Sequence, residues 1–171
     1  MKKEADIRCL CELMENPVGI DLTAPRFSWG SDVIFEKQKG YRIVVSDTKE
    51  FILPVWDSGY VESEENNLIR YDGERLKSGT RYYYYVEIFG KQQYVSPVFT
   101  FFTGILENRE WDEYFIGGAG VKYHSFLIRW PLYLKDHVKT AAAFVASPNY
   151  YQLTFDGNAV RDTKLNNAFT E

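Results

Sequence analysis

Residues 76–82 read Leu-Lys-Ser-Gly-Thr-Arg-Tyr and run without a break into Tyr83, Tyr84, Tyr85, Val86, Glu87 and Ile88. Gly79 and its polar neighbours suit a turn, and the aromatic run behind them suits a pleated, half-buried strand. In antiparallel sandwiches a tyrosine at this place tucks its ring under the preceding connection and sets its hydroxyl against backbone a few residues upstream. Alternation puts Tyr82, Tyr84, Val86 and Ile88 on one face of the strand and Tyr83, Tyr85, Glu87 and Phe89 on the other. The feature constrains architecture and carries no chemistry of its own.

The flanking chain obeys the same period. Ile7, Cys9, Cys11 and Leu13 share the apolar face of a first strand, which Asn16-Pro17-Val18-Gly19 breaks. After Pro25, Phe27 and Trp29 oppose Arg26 and Ser28; after Gly40, Tyr41, Ile43 and Val45 share a face. Trp56-Asp57-Ser58-Gly59 reads as a turn, and Glu62, Glu64 and Glu65 as a solvated connection rather than a cation site. Leu68, Ile69 and Tyr71 lead to Asp72-Gly73 and the corner, and Val95 to Phe102 makes the closing strand, with Pro97 near its start. Seven short strands punctuated by turn signals predict an all-β fold, an immunoglobulin/fibronectin-III-like antiparallel sandwich over residues 1–104.

Thr103 to Glu110 turns polar, and a linker is expected at 105–110. Residues 111–171 are strand-rich. A strand is expected over Ser125 to Leu134, weakened by Pro131, while Ala141 to Ala146 is ambiguous between helix and strand. Tyr151, Leu153 and Phe155 alternate up to Asp156-Gly157, a type I′ hairpin signal. About sixty residues approach the lower limit for an independent core, so the segment reads as an incomplete second β-sandwich.

Composition closes off several functions. Of 171 residues 45% are hydrophobic and 17% aromatic, enough for a real core. A net charge of −4 with scattered Lys and Arg offers no stripe for a phosphate backbone, so no nucleic-acid partner is expected. No run approaches the ~18 apolar residues of a membrane span, and Met1 to Arg8 lacks an apolar leader core, which predicts a cytoplasmic protein without membrane contact. Cys9 and Cys11 lie on one face of one strand, where an unstrained disulfide is not available, and His124 and His137 are remote in sequence. Buried, inert thiols follow, with no metal site. Gly117-Gly118-Ala119-Gly120 lacks the Gly-Lys-Ser/Thr ending of a phosphate-binding loop, and no cofactor is expected.

The order of these signals resembles the N-terminal region of bacterial α-L-rhamnosidases of glycoside hydrolase family 78. The resemblance rests on Glu15 to Asp21, Pro25 to Trp29, Tyr41 to Val45, Val55 to Gly59, Tyr71-Asp72-Gly73 and Leu76 to Tyr85. Further on, Trp111, Phe126 to Trp130 and Tyr150 to Asn158 resemble the opening of that family's jelly-roll module. Tyr84 and Tyr85 stand where the family commonly has a tryptophan. The resemblance implies an inverting hydrolysis by two carboxyl groups about 6.5 to 9.5 Å apart, carried by a downstream (α/α)6 barrel. No catalytic residue is therefore assigned to this chain, which is expected to be inactive alone and to support that barrel as its partner.

Three other readings stand beside it. One is a carbohydrate-binding module stacking sugar on Tyr83, Tyr85, Phe89 or Tyr150; another is a fibronectin-III-like interaction module unconnected with glycosidases. A third, a hydrolase in its own right, has only the 24 acidic residues in its favour. Self-association through the unfinished C-terminal segment is also expected, because unpaired strand edges and an apolar face attract partners.

Overall fold

The computed structural model describes residues 3–4, 6–31, 37–107, 127–133, 137–138, 141–145, 147 and 151–160. The chain divides into two compact units, Met1–Arg129 and Trp130–Glu171. Among the described residues every regular element is a strand. In chain order these are β1 (Lys3–Glu4), β2 (Arg8–Cys11), β3 (Val18–Ile20), β4 (Arg26–Gly30), β5 (Gly40–Ser46), β6 (Trp56–Asp57), β7 (Ile69–Arg70), β8 (Arg81–Phe89), β9 (Gln93–Val95), β10 (Phe99–Thr103), β11 (Thr154–Phe155) and β12 (Asn158–Ala159).

In the first unit β2, β4 and β7 form a three-stranded antiparallel sheet with β4 in the centre. Around β8 lies a seven-stranded sheet. β5 pairs along its own full length on one side of β8, from Gly40 opposite Phe89 to Ser46 opposite Tyr83, and β9 and β10 pair on the other. β6 extends the sheet beyond β5; β3 and β1 add parallel pairs on β10 and β9.

The alternation seen in sequence is what fills the space between these sheets. Cys9, Cys11, Phe27 and Trp29 come from the small sheet, and Tyr41, Ile43, Val45, Tyr82, Tyr84, Val86, Ile88 and Phe101 from the large one; all are buried in one cluster. Phe27 is central, with ring centroids 4.8 Å from Tyr84 and 5.9 Å from Phe101. Full burial of a side chain of this size stabilises by about 1.5–3 kcal/mol, so these contacts carry the fold.

Several elements differ from the sequence expectation. Leu13 leaves the first strand: Glu12 and Leu13 take positive φ, Cys11 and Met14 close the turn with backbone bonds, and Leu13 is exposed. Val18 to Ile20, expected only as a break, pairs in parallel with β10. Trp56 and Asp57, expected in a turn, are β6, and the chain leaves the strand through Ser58 and Gly59, the latter with positive φ. The closing strand is two strands, because the Ser96 hydroxyl accepts the Val86 N–H at 3.0 Å while Pro97 has no N–H to give.

In the second unit β11 and β12 form a hairpin around Asp156 (φ 47°) and Gly157 (φ 81°), the two positive φ values a type I′ turn needs. Residues 127–133 form no strand, against expectation, and 141–145 are neither helix nor strand. Pro131 removes one ladder donor there, and among the described residues the alternating run has no pairing partner. Gly117 to Gly120 lies outside the described residues.

Candidate functional site

The corner ahead of β8 is a closed hydrogen-bond circuit. Tyr82 folds back so that its hydroxyl oxygen accepts the Lys77 N–H at 2.8 Å. Thr103, fully buried at the end of β10, donates from Oγ1 to the Lys77 carbonyl at 2.6 Å and accepts the Thr80 N–H at 2.9 Å. The chain beyond stays tied to this place: Gly104 N–H bonds to the Ile20 carbonyl, Leu106 N–H to Ser78, and Arg75 pairs with Glu107.

The other sequence motifs are used in the same way. The Tyr71 hydroxyl donates to the Glu74 carbonyl at 2.7 Å, and its ring meets Trp56 edge-on at 5.1 Å. Gly73 sits so close beneath them that a Cβ would lie 2.4 Å from the Trp56 Cβ. Asn16 accepts the Thr100 N–H and Glu12 grips Arg26, which pulls the Glu12 carboxyl below its ordinary range. Buried Cys9 and Cys11 are free thiols, each pushed up from 9.0 to about 12 by desolvation. The Tyr84 hydroxyl is the one buried side-chain polar atom left unpartnered among the described residues.

Across β5 and β8 lies a charge network that single-strand patterns do not reveal. Arg42 grips Asp57 through two bonds, at 2.8 and 2.5 Å, and this lowers the Asp57 carboxyl below its ordinary range. The same guanidinium lies 3.6 Å from Glu87, a residue only 1% exposed, which also accepts a bond from Gln93. Arg42 and Glu87 stand directly opposite in the ladder. The signal was available only through the register of two strands forty-five positions apart.

This network divides the outer aromatic face. Tyr83, Tyr85 and Phe89 are half-buried on β8, opposite the core face. Phe51 meets Tyr85 edge-on at 5.0 Å, and Tyr60 meets Phe89 edge-on at 5.0 Å. Tyr60 lies over Gly40, where a Cβ would come 2.5 Å from its ring. Tyr83 keeps its place on the face, beside Thr100 and Ser46, and Tyr150 lies outside the described residues.

Among the described residues no cluster of His, Cys, Asp and Glu could hold a metal; Glu64 pairs with Lys37. A pocket of about 450 Å³ opens between the segment at Thr23 and Ala24 and the turn from Arg70 to Arg75. Its rim is polar, and sequence patterns give no hint of it because the two segments are far apart in the chain.

Residues 7–107 match the family model described as "Rha78A-like, N-terminal immunoglobulin domain". An α-L-rhamnosidase of Formosa agariphila is 27% identical over 188 residues, an alignment that takes in 98% of this chain and 20% of the relative. Among solved structures, an α-L-rhamnosidase from Dictyoglumus thermophilum superposes with a TM-score of 0.59 at 31% identity, covering 66% of this chain and 14% of that one. The α-L-rhamnosidase of Streptomyces avermitilis, complexed with L-rhamnose, gives 0.56 at 29% identity, covering 62% and 11%. The chain thus spans a fifth or less of the length of these relatives.

Proposed function

Since the chain belongs to the Rha78A-like family through its N-terminal immunoglobulin domain, we propose that it is the non-catalytic N-terminal accessory region of an α-L-rhamnosidase. Its role is to support a downstream catalytic barrel, which supplies the acid and the base for glycoside hydrolysis. The observation that carries this reading is the use made of the shared motifs. Tyr71-Asp72-Gly73, Trp56-Asp57 and the corner at Tyr82 fix turns and close the core. The side chains of Tyr71, Trp56 and Tyr82 are engaged in these contacts within the fold.

The chain alone is accordingly inactive, and its partner is the remainder of the parent polypeptide. Self-association of the isolated chain belongs to the same reading: in the second unit Trp130, Leu132, Tyr133 and Phe155 are exposed, and such apolar surface is covered by association when no intramolecular partner is present. Purified chain incubated with an aryl α-L-rhamnoside tests the catalytic part. No turnover is expected; turnover that survives repurification would overturn the accessory reading.

A further inference from the structure

We propose that the pocket between Thr23 and the Arg70–Arg75 turn is a binding site for a neutral saccharide, distinct from the outer aromatic face of β8. Of the six arginines between residues 6 and 107, five are engaged: Arg8 with Glu15, Arg26 with Glu12, Arg42 with Asp57, Arg75 with Glu107, and Arg81 over the Phe102 ring. Arg70 has no partner among the described residues, and it lines the pocket. Asp72 and Glu74 line it too, and their carboxylates are likewise unpartnered among those residues.

The rim therefore presents the unpaired Arg70 guanidinium, a donor, beside the unpaired Asp72 and Glu74 carboxylates, two acceptors, while the charge of Arg75 is already balanced by Glu107. A guanidinium can only donate and an ionised carboxylate can only accept. An anion would satisfy Arg70 but be repelled by Asp72 and Glu74, and a cation the reverse. Vicinal hydroxyls of a sugar both donate and accept, so they satisfy both kinds of group without net charge. The frame is preorganised: Tyr71 ties the turn to the Glu74 carbonyl, Gly73 is wedged under Trp56, and Glu107 holds Arg75. With no exposed aromatic ring in the lining to stack on, affinity is expected to be weak, about millimolar.

The choice of probe rests on the rhamnosidase reading. Amide spectra of the full chain are recorded during titration with methyl α-L-rhamnopyranoside. Saturable shifts at residues 70–75 are expected, weakened about tenfold or more by Arg70→Ala and by Asp72→Ala, since each removes a charged hydrogen-bonding group. Both residues are exposed, and unchanged dispersion elsewhere verifies that the variants fold. Inorganic phosphate is expected not to compete. The proposal is overturned by the absence of saturable shifts at 70–75, by shifts that persist undiminished in both variants, by shifts confined to Tyr83, Tyr85 and Phe89, or by displacement with phosphate. None of these outcomes bears on whether the chain is part of a longer rhamnosidase, which the mass of the native gene product decides separately.

Discussion

Two tyrosines two positions apart on β8 do opposite things with their hydroxyls. Tyr82 accepts the Lys77 N–H, so Tyr82→Phe strands a partly buried donor and should cost about 1–3 kcal/mol in urea denaturation. Tyr84 has no partner for its buried hydroxyl, so Tyr84→Phe should be neutral or stabilise by about 1 kcal/mol. Equal losses for the two variants would contradict the assignment. Gly73→Ala should destabilise by about 1–3 kcal/mol, because the new methyl meets Trp56 and the Tyr71 hydroxyl. Cys9 and Cys11 give a pH-dependent signature. Below pH 9.0 both thiols are neutral whether the chain is folded or not, and their burial stabilises fully. Between 9.0 and about 12 the unfolded chain releases protons that the folded chain retains, and stability falls by up to ~1.4 kcal/mol per pH unit for each thiol. Denaturation at stepped pH checks this, with Cys11→Ala expected to flatten the decline.

Elements set by local chemistry were legible in the sequence. The corner at Tyr82, the two faces of β8 and the hairpin at Asp156-Gly157 each depend on residues adjacent in the chain, and each formed where expected. Elements set by distant partners were not. β3 and β6 are too short to show a period and exist because β10 and β5 offer them an edge. Conversely, alternation at 127–133 was visible, yet among the described residues it found no pairing. The site followed the same division: the aromatic face could be read from β8 alone, whereas the Arg42–Asp57–Glu87 network and the pocket at Arg70 required register and tertiary approach. That network yields a prediction at its own scale. Arg42→Met leaves Glu87 buried with only Gln93 and its remaining contacts to compensate, and should cost ~2–3 kcal/mol, somewhat below a fully buried broken pair. Asp57→Asn should cost less, because Asp57 is a third exposed. Glu12 and Asp57 add an acid limb: their folded values lie below the ordinary 4.5 and 3.8, so their stabilisation is present above those values and is lost as pH falls through the lowered ones.

For the whole molecule, the two units present different balances. The first buries aromatic residues from both of its sheets around Phe27 and spends its shared motifs on turns and closure. In the second, the described apolar residues Trp130, Leu132, Tyr133, Phe144 and Phe155 are exposed, and the described regular structure is a hairpin of two-residue strands. In the function proposed above both units belong to a longer polypeptide; the chain spans a fifth or less of its relatives' length. The direct measurement is the mass of the native gene product in source cells, detected with an antibody against residues preceding Thr103. The account predicts a band far larger than the 20.0 kDa chain, with α-L-rhamnosidase activity in the same fraction. A band at 20.0 kDa, with no larger species, would contradict it and leave a free-standing β-sandwich protein.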